Sequence, residues 1–397
     1  MAVTLMKLLE NAEREFSVDL IAGSVGLSNT IRWVHILEDN GSKPFLHGNE
    51  LIITTGAGHP DTKWLAGFVR MLKKAGAAGV VIALGGNIPE VPEDVMLFCE
   101  HNAFPLFTAE RGTEILDLSY DLCRKIVGAE RHDHAIINAF RAIFADHSAL
   151  KTHSKLLVRA GFTDSDRYTV ICSCLMSGSG EPADPSELIA RNAIGDSSVN
   201  SASRPVVFVH NGILAAVCRN CGGEEIKSLC GQIVEAALPM SGTAVFTGIS
   251  ESGAGLDGIA AAYEQAEAAM VSALISGRSR EYYRNIGIMK LILGVRDMGI
   301  LRAYVRENLG ALLDHDAEHG TDLARVLRVY LENNSSVNET AAIGKVHRNT
   351  VNSKMRTIRE LLGRELDDAG KSRLIIAFLA DDVLRIYDEK LSSLKKA

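Results

Sequence analysis

The spacing of apolar positions changes several times along the chain, and each change marks a different kind of structure. In the first 115 residues, short β-branched runs at 30–37, 50–55 and 79–84 alternate with helical spacing at 64–75. This order predicts a small α/β domain with parallel strands. Residues 115–160 are almost free of Pro and Gly, and Leu118, Leu122, Ile126, Ile136, Ile137, Phe140, Ile143 and Phe144 recur at steps suited to a helix. That stripe predicts a connecting or dimerising arm. A second mixed region opens at 168–175, and strands at 206–210 and 213–218 flank Asn211-Gly212, a dipeptide that favours a tight hairpin. A helix at 224–237, a strand at 244–249 and a helix at 256–276 complete an α+β unit that ends near Tyr283. The acidic run 314–318 before Gly320 marks the last linker.

Beyond it the period is helical again. Thr321 is placed to cap a helix with Leu323, Val326, Leu327, Tyr330 and Leu331 on one face. Ser336 and Glu339 have capping-box spacing, so each side chain is expected to accept a backbone N–H at the start of a short helix over 337–343. After the turn 344–346, a longer helix over 347–362 turns Val351, Met355, Ile358 and Leu362 inward and Arg348, Asn349, Asn352, Ser353, Arg356 and Arg359 outward. Two helices, a tight turn and a polar, basic last helix form the helix-turn-helix arrangement that enters a DNA major groove. A solvated basic helix on a helical bundle is the plainer alternative.

Charge is unevenly divided along the chain. The whole chain carries −7, yet residues 322–364 hold eight Lys and Arg against four acids, so this segment is +4 and the remainder −11. A basic module on an acidic body suits one domain that meets a polyanion. The 397 residues allow two to four domains, and 47% hydrophobic with 23% charged residues is a globular composition. Lys7, Glu10, Glu13, Arg14 and Glu15 interrupt the first 16 residues, and no stretch is apolar enough to cross a membrane. Seven cysteines without a secretion signal predict reduced thiols and a cytoplasmic protein.

Thr340-Ala341-Ala342, His347-Arg348-Asn349-Thr350-Val351 and Ile358-Arg359-Glu360-Leu361-Leu362-Gly363 closely resemble the C-terminal helix-turn-helix of the purine-catabolism regulator (PucR) family of bacterial transcription factors. Ile31-Arg32-Trp33-Val34-His35, the run from Gly48 to Gly56 and Phe104-Pro105-Leu106 resemble that family's sensory domain. The middle unit resembles its GGDEF-like domain, so the likeness covers nearly the whole chain. Two departures from the pattern stand out. Asn352, Ser353 and Lys354 stand where the family commonly has Arg, Tyr and Arg, and Gly344 replaces a bulky aliphatic.

The resemblance implies a multidomain α/β plus α+β chain: an α/β sensory domain at 1–115, a helical arm at 116–160, a ferredoxin-like, GGDEF-like α+β domain at 161–285, a helical linker at 286–318 and an all-α helix-turn-helix domain at 319–397. It also implies a regulator of transcription that binds promoter or operator DNA, responds to a small purine-breakdown, amino-acid or other nitrogen-source effector, and acts as a homodimer or higher homo-oligomer, with RNA polymerase as a further partner. The DNA-binding set is Arg348, Asn349, Thr350, Asn352, Ser353, Lys354, Arg356 and Arg359. Arg32, Glu38, Glu50, Thr54, Thr55 and Gly56 are the effector candidates, because Thr54 to Gly56 follow a strand and loops there hold ligands in open α/β sheets. No catalytic residue and no cofactor is expected. The competing reading is a metabolite- or nucleotide-processing enzyme with a nucleic-acid-binding tail, which turnover by the purified chain would reveal.

Other constellations carry less. The middle unit lacks a GGDEF signature and its metal-binding acids, so diguanylate synthesis is not expected. Gly253 to Gly258 spells GxGxxG between a strand and a helix, but no clear strand is expected near 280–282 to complete a dinucleotide unit. Cys172, Cys174, Cys218 and Cys221 could gather around zinc or iron-sulfur if their strands were neighbours, since CxC spacing on a strand puts both sulfurs on one face; buried cysteine is the commoner role. His315 and His319 lie among acids and read as a solvated face.

Overall fold

The computed structural model describes residues 3–10, 12–39, 46–59, 61–186, 205–240, 242–363 and 366–391. The chain divides into two compact units, Met1–Asn138 and Ala139–Ala397.

In the first unit, strands β1 (Val3–Thr4) and β3 (Thr30–Ile31) form a small antiparallel pair. The main sheet runs β2 (Val18–Ala22), β7 (Leu106–Ala109), β6 (Gly79–Ala83), β5 (Glu50–Thr54) and β4 (Trp33–Ile36). β4 to β7 are parallel, and β2 closes the edge antiparallel to β7. β5 and β6 are buried at every position, as central parallel strands covered on both faces must be. One face packs Phe68 and Leu72 of helix Leu65–Lys74 and Val95 and Cys99 of helix Glu93–His101 against Ile52, Val80 and Ile82. The other packs Leu5, Leu8, Leu118, Leu122 and Ile126 against Leu51, Ile53, Val81 and Phe107. Half of the expected arm is therefore core of this domain.

The arm itself is helix Ile115–Ala145, which breaks at Asp146, where the carboxylate accepts the Ser148 N–H at 2.9 Å, before helix Leu150–Arg159 resumes. Within the second unit its aromatic end is also spent: Phe144 stacks on Tyr263 at 4.1 Å, and Phe140 lies over Phe208 at 6.2 Å.

The middle sheet runs β10 (Val206–His210), β11 (Ile213–Arg219), β8 (Arg167–Met176), β12 (Ala244–Ile249) and β14 (Arg280–Tyr282), with β9 (Pro182–Ala183) and β13 (Gly253–Ala254) also paired to β8. Asn211 and Gly212 both take positive φ, 49° and 71°, between β10 and β11, the geometry that a two-residue hairpin turn demands. Helix Gly258–Ser276 leads to β14, which lies parallel to β12. The expectation of no strand at 280–282 is thus corrected: three residues sufficed, too few to show a period. Gly248 of β12 lets this helix approach, since a Cβ there would overlap Ala266 O and Met270 N.

Helix Gly223–Ala237 packs on the middle sheet through Ile226, Leu229 and Ile233, whereas the helices after β14 share one core. Leu301, Val305, Leu309 and Leu312 of helix Met298–His319 pack with Leu323, Leu327 and Leu331 of helix Leu323–Glu332, with Val351, Met355 and Ile358 of helix Arg348–Leu362, and with Leu374, Ala377 and Val383 of helix Asp368–Arg385. Most of the expected linker at 286–318 is consequently part of that core. A polar clamp joins two of these helices. Arg328 donates to both Asp382 oxygens at 2.7 Å and to Glu332 Oε1 at 2.9 Å, with its guanidinium over the Phe378 ring at 5.8 Å.

Breaking the clamp on one side leaves Asp382, only 14% exposed, without its cation. Arg328→Met should cost about 2–3 kcal/mol, and Arg328→Met with Asp382→Leu should recover most of it, because a lone part-buried charge costs more than an apolar pair. Urea unfolding followed by helical circular dichroism measures both; equal losses in the single and double variants would refute the clamp.

Candidate nucleic-acid interface

Helix Val337–Gly344 begins where Ser336 Oγ accepts the Glu339 N–H at 3.3 Å. The return half of the expected capping box does not form, because the Ser336 N–H is already bonded to Asn333 O at 2.9 Å. Thr340 and Ala341 are buried, and their small size lets the helix lie close to its neighbours. At its end, Val346 N–H reaches Ala341 O and Lys345 N–H reaches Ala342 O, the paired bonds of a Schellman turn. The left-handed residue of that turn is Lys345, at φ 51°, and not Gly344.

Helix Arg348–Leu362 follows at once, capped by His347 Nδ1, which accepts the Asn349 N–H at 3.2 Å. Val351, Met355 and Ile358 are buried at steps of four and three. That spacing forces the intervening polar residues outward. Arg348, Asn349, Thr350, Asn352, Ser353, Arg356 and Arg359 are all exposed. Lys354 is the exception among the eight candidates: its ammonium pairs with Asp322 at the start of helix Leu323–Glu332. Arg348, Arg356 and Arg359 make no ion pair among the described residues, whereas Arg302, Arg306, Arg328 and Arg385 are each paired to a carboxylate. Unspent positive charge therefore lies along this helix face; Arg325 and Arg373, on two other helices of the domain, likewise make no ion pair among the described residues. Lys345, exposed in the turn before helix Arg348–Leu362, joins the set on that helix and was missed in the sequence because a turn residue has no face to assign. Arg364, counted in the basic segment, lies outside the described residues.

The start of helix Leu323–Glu332 corrects another expectation. Thr321 does not cap it; Thr321 donates its hydroxyl to Asp316, whose carboxylate also accepts the N–H groups of Leu323 and Ala324, each at 2.8 Å. A residue of the preceding helix thus supplies the cap. Burial works against the Asp316 charge, but the Thr321 hydroxyl and the Ala324 and Leu323 N–H groups outweigh it and hold this carboxyl below its ordinary range. His315 and His319 stack at 4.3 Å beside this cap, with His315 Nδ1 on Thr321 Oγ1 at 3.1 Å.

The six effector candidates sort differently. Glu38 accepts from the Thr54 hydroxyl at 3.0 Å, the Thr55 N–H and hydroxyl at 3.1 and 2.8 Å, and the Ala57 N–H at 3.0 Å. The donors expected for a ligand in this turn are thus engaged by Glu38. Gly56 closes it at φ 70°, where a Cβ would meet Ile88 Cγ1 at 2.8 Å. Glu50, 3% exposed, braces the chain by accepting the His47 and Gly48 N–H groups at 2.7 and 2.9 Å. Arg32 is exposed one residue before β4.

The cysteine question is settled by register. β8 and β11 are neighbours, with Cys172 opposite Ala215 and Cys218 opposite Thr169. Alternation along the strands puts Cys172 and Cys174 on one face and Cys218 on the other, in the core with Ile171 and Leu175. The four thiols do not converge.

The chain matches the purine catabolism regulatory protein-like family over residues 7–126, the GGDEF-like domain over 154–271 and the PucR C-terminal helix-turn-helix domain over 323–380. It belongs to the PucR family. Among curated relatives of this PucR-family chain, the purine catabolism regulatory protein of Bacillus subtilis is 29% identical over 26% of this chain and 19% of its own length. The proline-responsive transcriptional activator PutR of the same organism is 21% identical over 57% of both. The matched regions thus span less than two thirds of either relative. The crystal structure of the regulator of polyketide synthase expression from Bifidobacterium adolescentis aligns over 59% of this chain and 87% of its own, at 18% identity and a TM-score of 0.28.

Because the Asp316 carboxyl is held low in the folded state, its contribution is present at neutral pH and fades as pH falls through the ordinary carboxylate range toward that lowered value. Asp316→Ala should therefore destabilise the helical domain by about 1 kcal/mol at pH 7, and the gap to the parent should close on acidification. Thermal melts of both proteins across that range check this; a gap that stays constant in acid would exclude a charged cap.

Proposed function

We propose that this PucR-family chain is a transcriptional regulator that binds promoter DNA through helix Arg348–Leu362 and acts without turnover. The observation that carries the reading is the run of unpaired guanidiniums and exposed amides opposite Val351, Met355 and Ile358. Guanidiniums without carboxylate partners are free to displace counterions from phosphates, and an amide offers adenine a donor and an acceptor together. Asn349 and Asn352 are the base readers of this proposal. Asn349 makes no side-chain hydrogen bond among the described residues, and the cap it would otherwise supply comes from His347. Arg356 and Arg359 meet phosphates, with Arg348, Thr350, Ser353 and Lys345 at the groove edge.

Two copies would present two such helices to matching half-sites, so a homodimer is part of the proposal. The middle domain is ferredoxin-like in this reading, supported by the antiparallel order β10, β11, β8, β12, with β14 as an added edge. The printed functions of the two relatives, purine catabolism and response to proline, support a small nitrogen-bearing effector for the upstream domains.

The test uses the full chain and labelled DNA from upstream of its own coding sequence. Asn349→Ala should lose about 1–3 kcal/mol for the cognate site and little for scrambled DNA. Arg356→Ala should weaken both alike and reduce the salt dependence by about one unit. No binding at low salt would defeat the proposal, and an Asn349→Ala protein that melts early and loses both DNAs equally would remove that residue as a reader.

A further inference from the structure

The middle domain holds a cavity of about 370 Å³ where the parallel strands β12 and β14 end. Ligands commonly sit beyond the carboxyl ends of parallel strands, where the chain leaves the sheet and loops supply side chains. Its floor is buried and mixed in character: Ile226 and Ile249 are apolar, and the Thr169 hydroxyl beside them belongs to a residue only 6% exposed. Thr169 makes no side-chain hydrogen bond among the described residues. Its hydroxyl opens onto the cavity, where it can donate to or accept from a polar ligand atom.

The rim is charged in both signs. Glu251 follows β12 and Arg284 follows β14; both line the cavity and both are exposed. Neither forms an ion pair among the described residues, with the other or with any other group, although Arg284 lies over the Tyr282 ring at 5.2 Å. The second cation at the mouth, Arg167, is already tied to Ser252 through its carbonyl at 2.6 Å and its hydroxyl at 3.3 Å. Arg167 keeps its charge, since Ser252 is neutral, but its guanidinium is held in place; what is left to reach a ligand is the Arg284 guanidinium and the Glu251 carboxylate, above the Thr169 hydroxyl and an apolar floor in a space sized for a small molecule. A ligand bearing a single charge would leave one rim group unmatched. A zwitterion matches both.

We infer that this cavity binds a free α-amino acid, its carboxylate on Arg284, its ammonium on Glu251 and its side chain over Ile226 and Ile249. Treating that ligand as the effector rests on the regulator reading above; the binding itself does not. Cys221 also lines the cavity and is half-buried, which provides a reporter that is independent of DNA.

The full chain is titrated calorimetrically with the individual protein amino acids and, for any that bind, with the matching amine and carboxylic acid that lack one charge. Cys221 alkylation is followed in parallel by peptide mass spectrometry. At least one amino acid should bind and slow Cys221 labelling, and each singly charged analogue should bind at least about tenfold more weakly, the scale of one lost charge-assisted contact. Arg284→Ala and Glu251→Gln should each cost a similar factor. Thr169→Val, close in shape, should weaken binding severalfold with the melting temperature kept. No binding or protection at millimolar amino acid would overturn the inference, as would an analogue that binds equally well or binding that survives both rim substitutions. DNA binding by the same variants, measured without amino acid, separates the two proposals: loss of the ligand with DNA binding intact indicts only the cavity, and failure of DNA binding with ligand binding intact indicts only the regulator reading.

Discussion

The structure of the DNA-facing domain depends on how little of its exposed helix is apolar. Helix Arg348–Leu362 buries Val351, Met355 and Ile358 and is otherwise polar for most of its length. A 15-residue helix of that composition is marginal in water, so its position is fixed by the core it touches. That core is assembled from distant segments: Leu301 to Leu312 before it, Leu374 to Val383 after it, and the Arg328–Asp382 clamp between two of the supports. The smallest unit able to hold the helix therefore begins before Asp297, whose carboxylate caps helix Met298–His319 by accepting the Gly299 N–H at 2.8 Å. A fragment starting at 319 would lack both that packing surface and the Asp316 cap.

The same economy explains what was legible in the sequence. The helical period of the last domain is carried by Leu323, Leu327, Leu331, Val351, Met355 and Ile358, and all six are buried; Asn211-Gly212 announced its hairpin because positive φ at two adjacent residues is a local demand. What escaped depends on partners remote in sequence. Asp316 reads as one acid in an acidic run, and only the fold turns it toward Leu323 and Ala324. Lys354 reads as one more base on a basic helix, and only the fold brings Asp322 beside it. β2 and β7 pair across more than eighty residues, Val18 with Ala109, and each is only a few residues long.

The Thr54 to Gly56 turn shows the limit from the other side. Its hydroxyls and N–H groups are candidate donors at the end of a parallel strand, but a sequence cannot say which donors are already taken. Glu38 takes three of them, and the Ala57 N–H besides. The cavity at β12 and β14 is the reverse case: Glu251 and Arg284 are unremarkable in the sequence, and it is the absence of a mutual ion pair, together with the unpartnered Thr169, that distinguishes them.

These two sites in the second unit are joined by short lengths of chain. Arg284 at the cavity precedes Ile286, Met289 and Ile292 by a few residues, and those three side chains belong to the core that seats helix Arg348–Leu362. Helix Gly258–Ser276 packs on the middle sheet through Gly248 and contributes Ala269 to that same core. A ligand that draws Arg284 toward Glu251 therefore acts on the segment directly attached to the helical bundle. Contiguity alone does not create coupling; a ligand shifts an equilibrium only by its difference in affinity between two arrangements. In this chain that difference would arise where the Tyr282–Arg284 segment leaves β14, because the strand is anchored by its pairing to β12 while the residues that follow are anchored in the bundle. A reorientation of Arg284 that moves its backbone would be taken up by one of those two anchors, and the bundle side is the one that carries helix Arg348–Leu362.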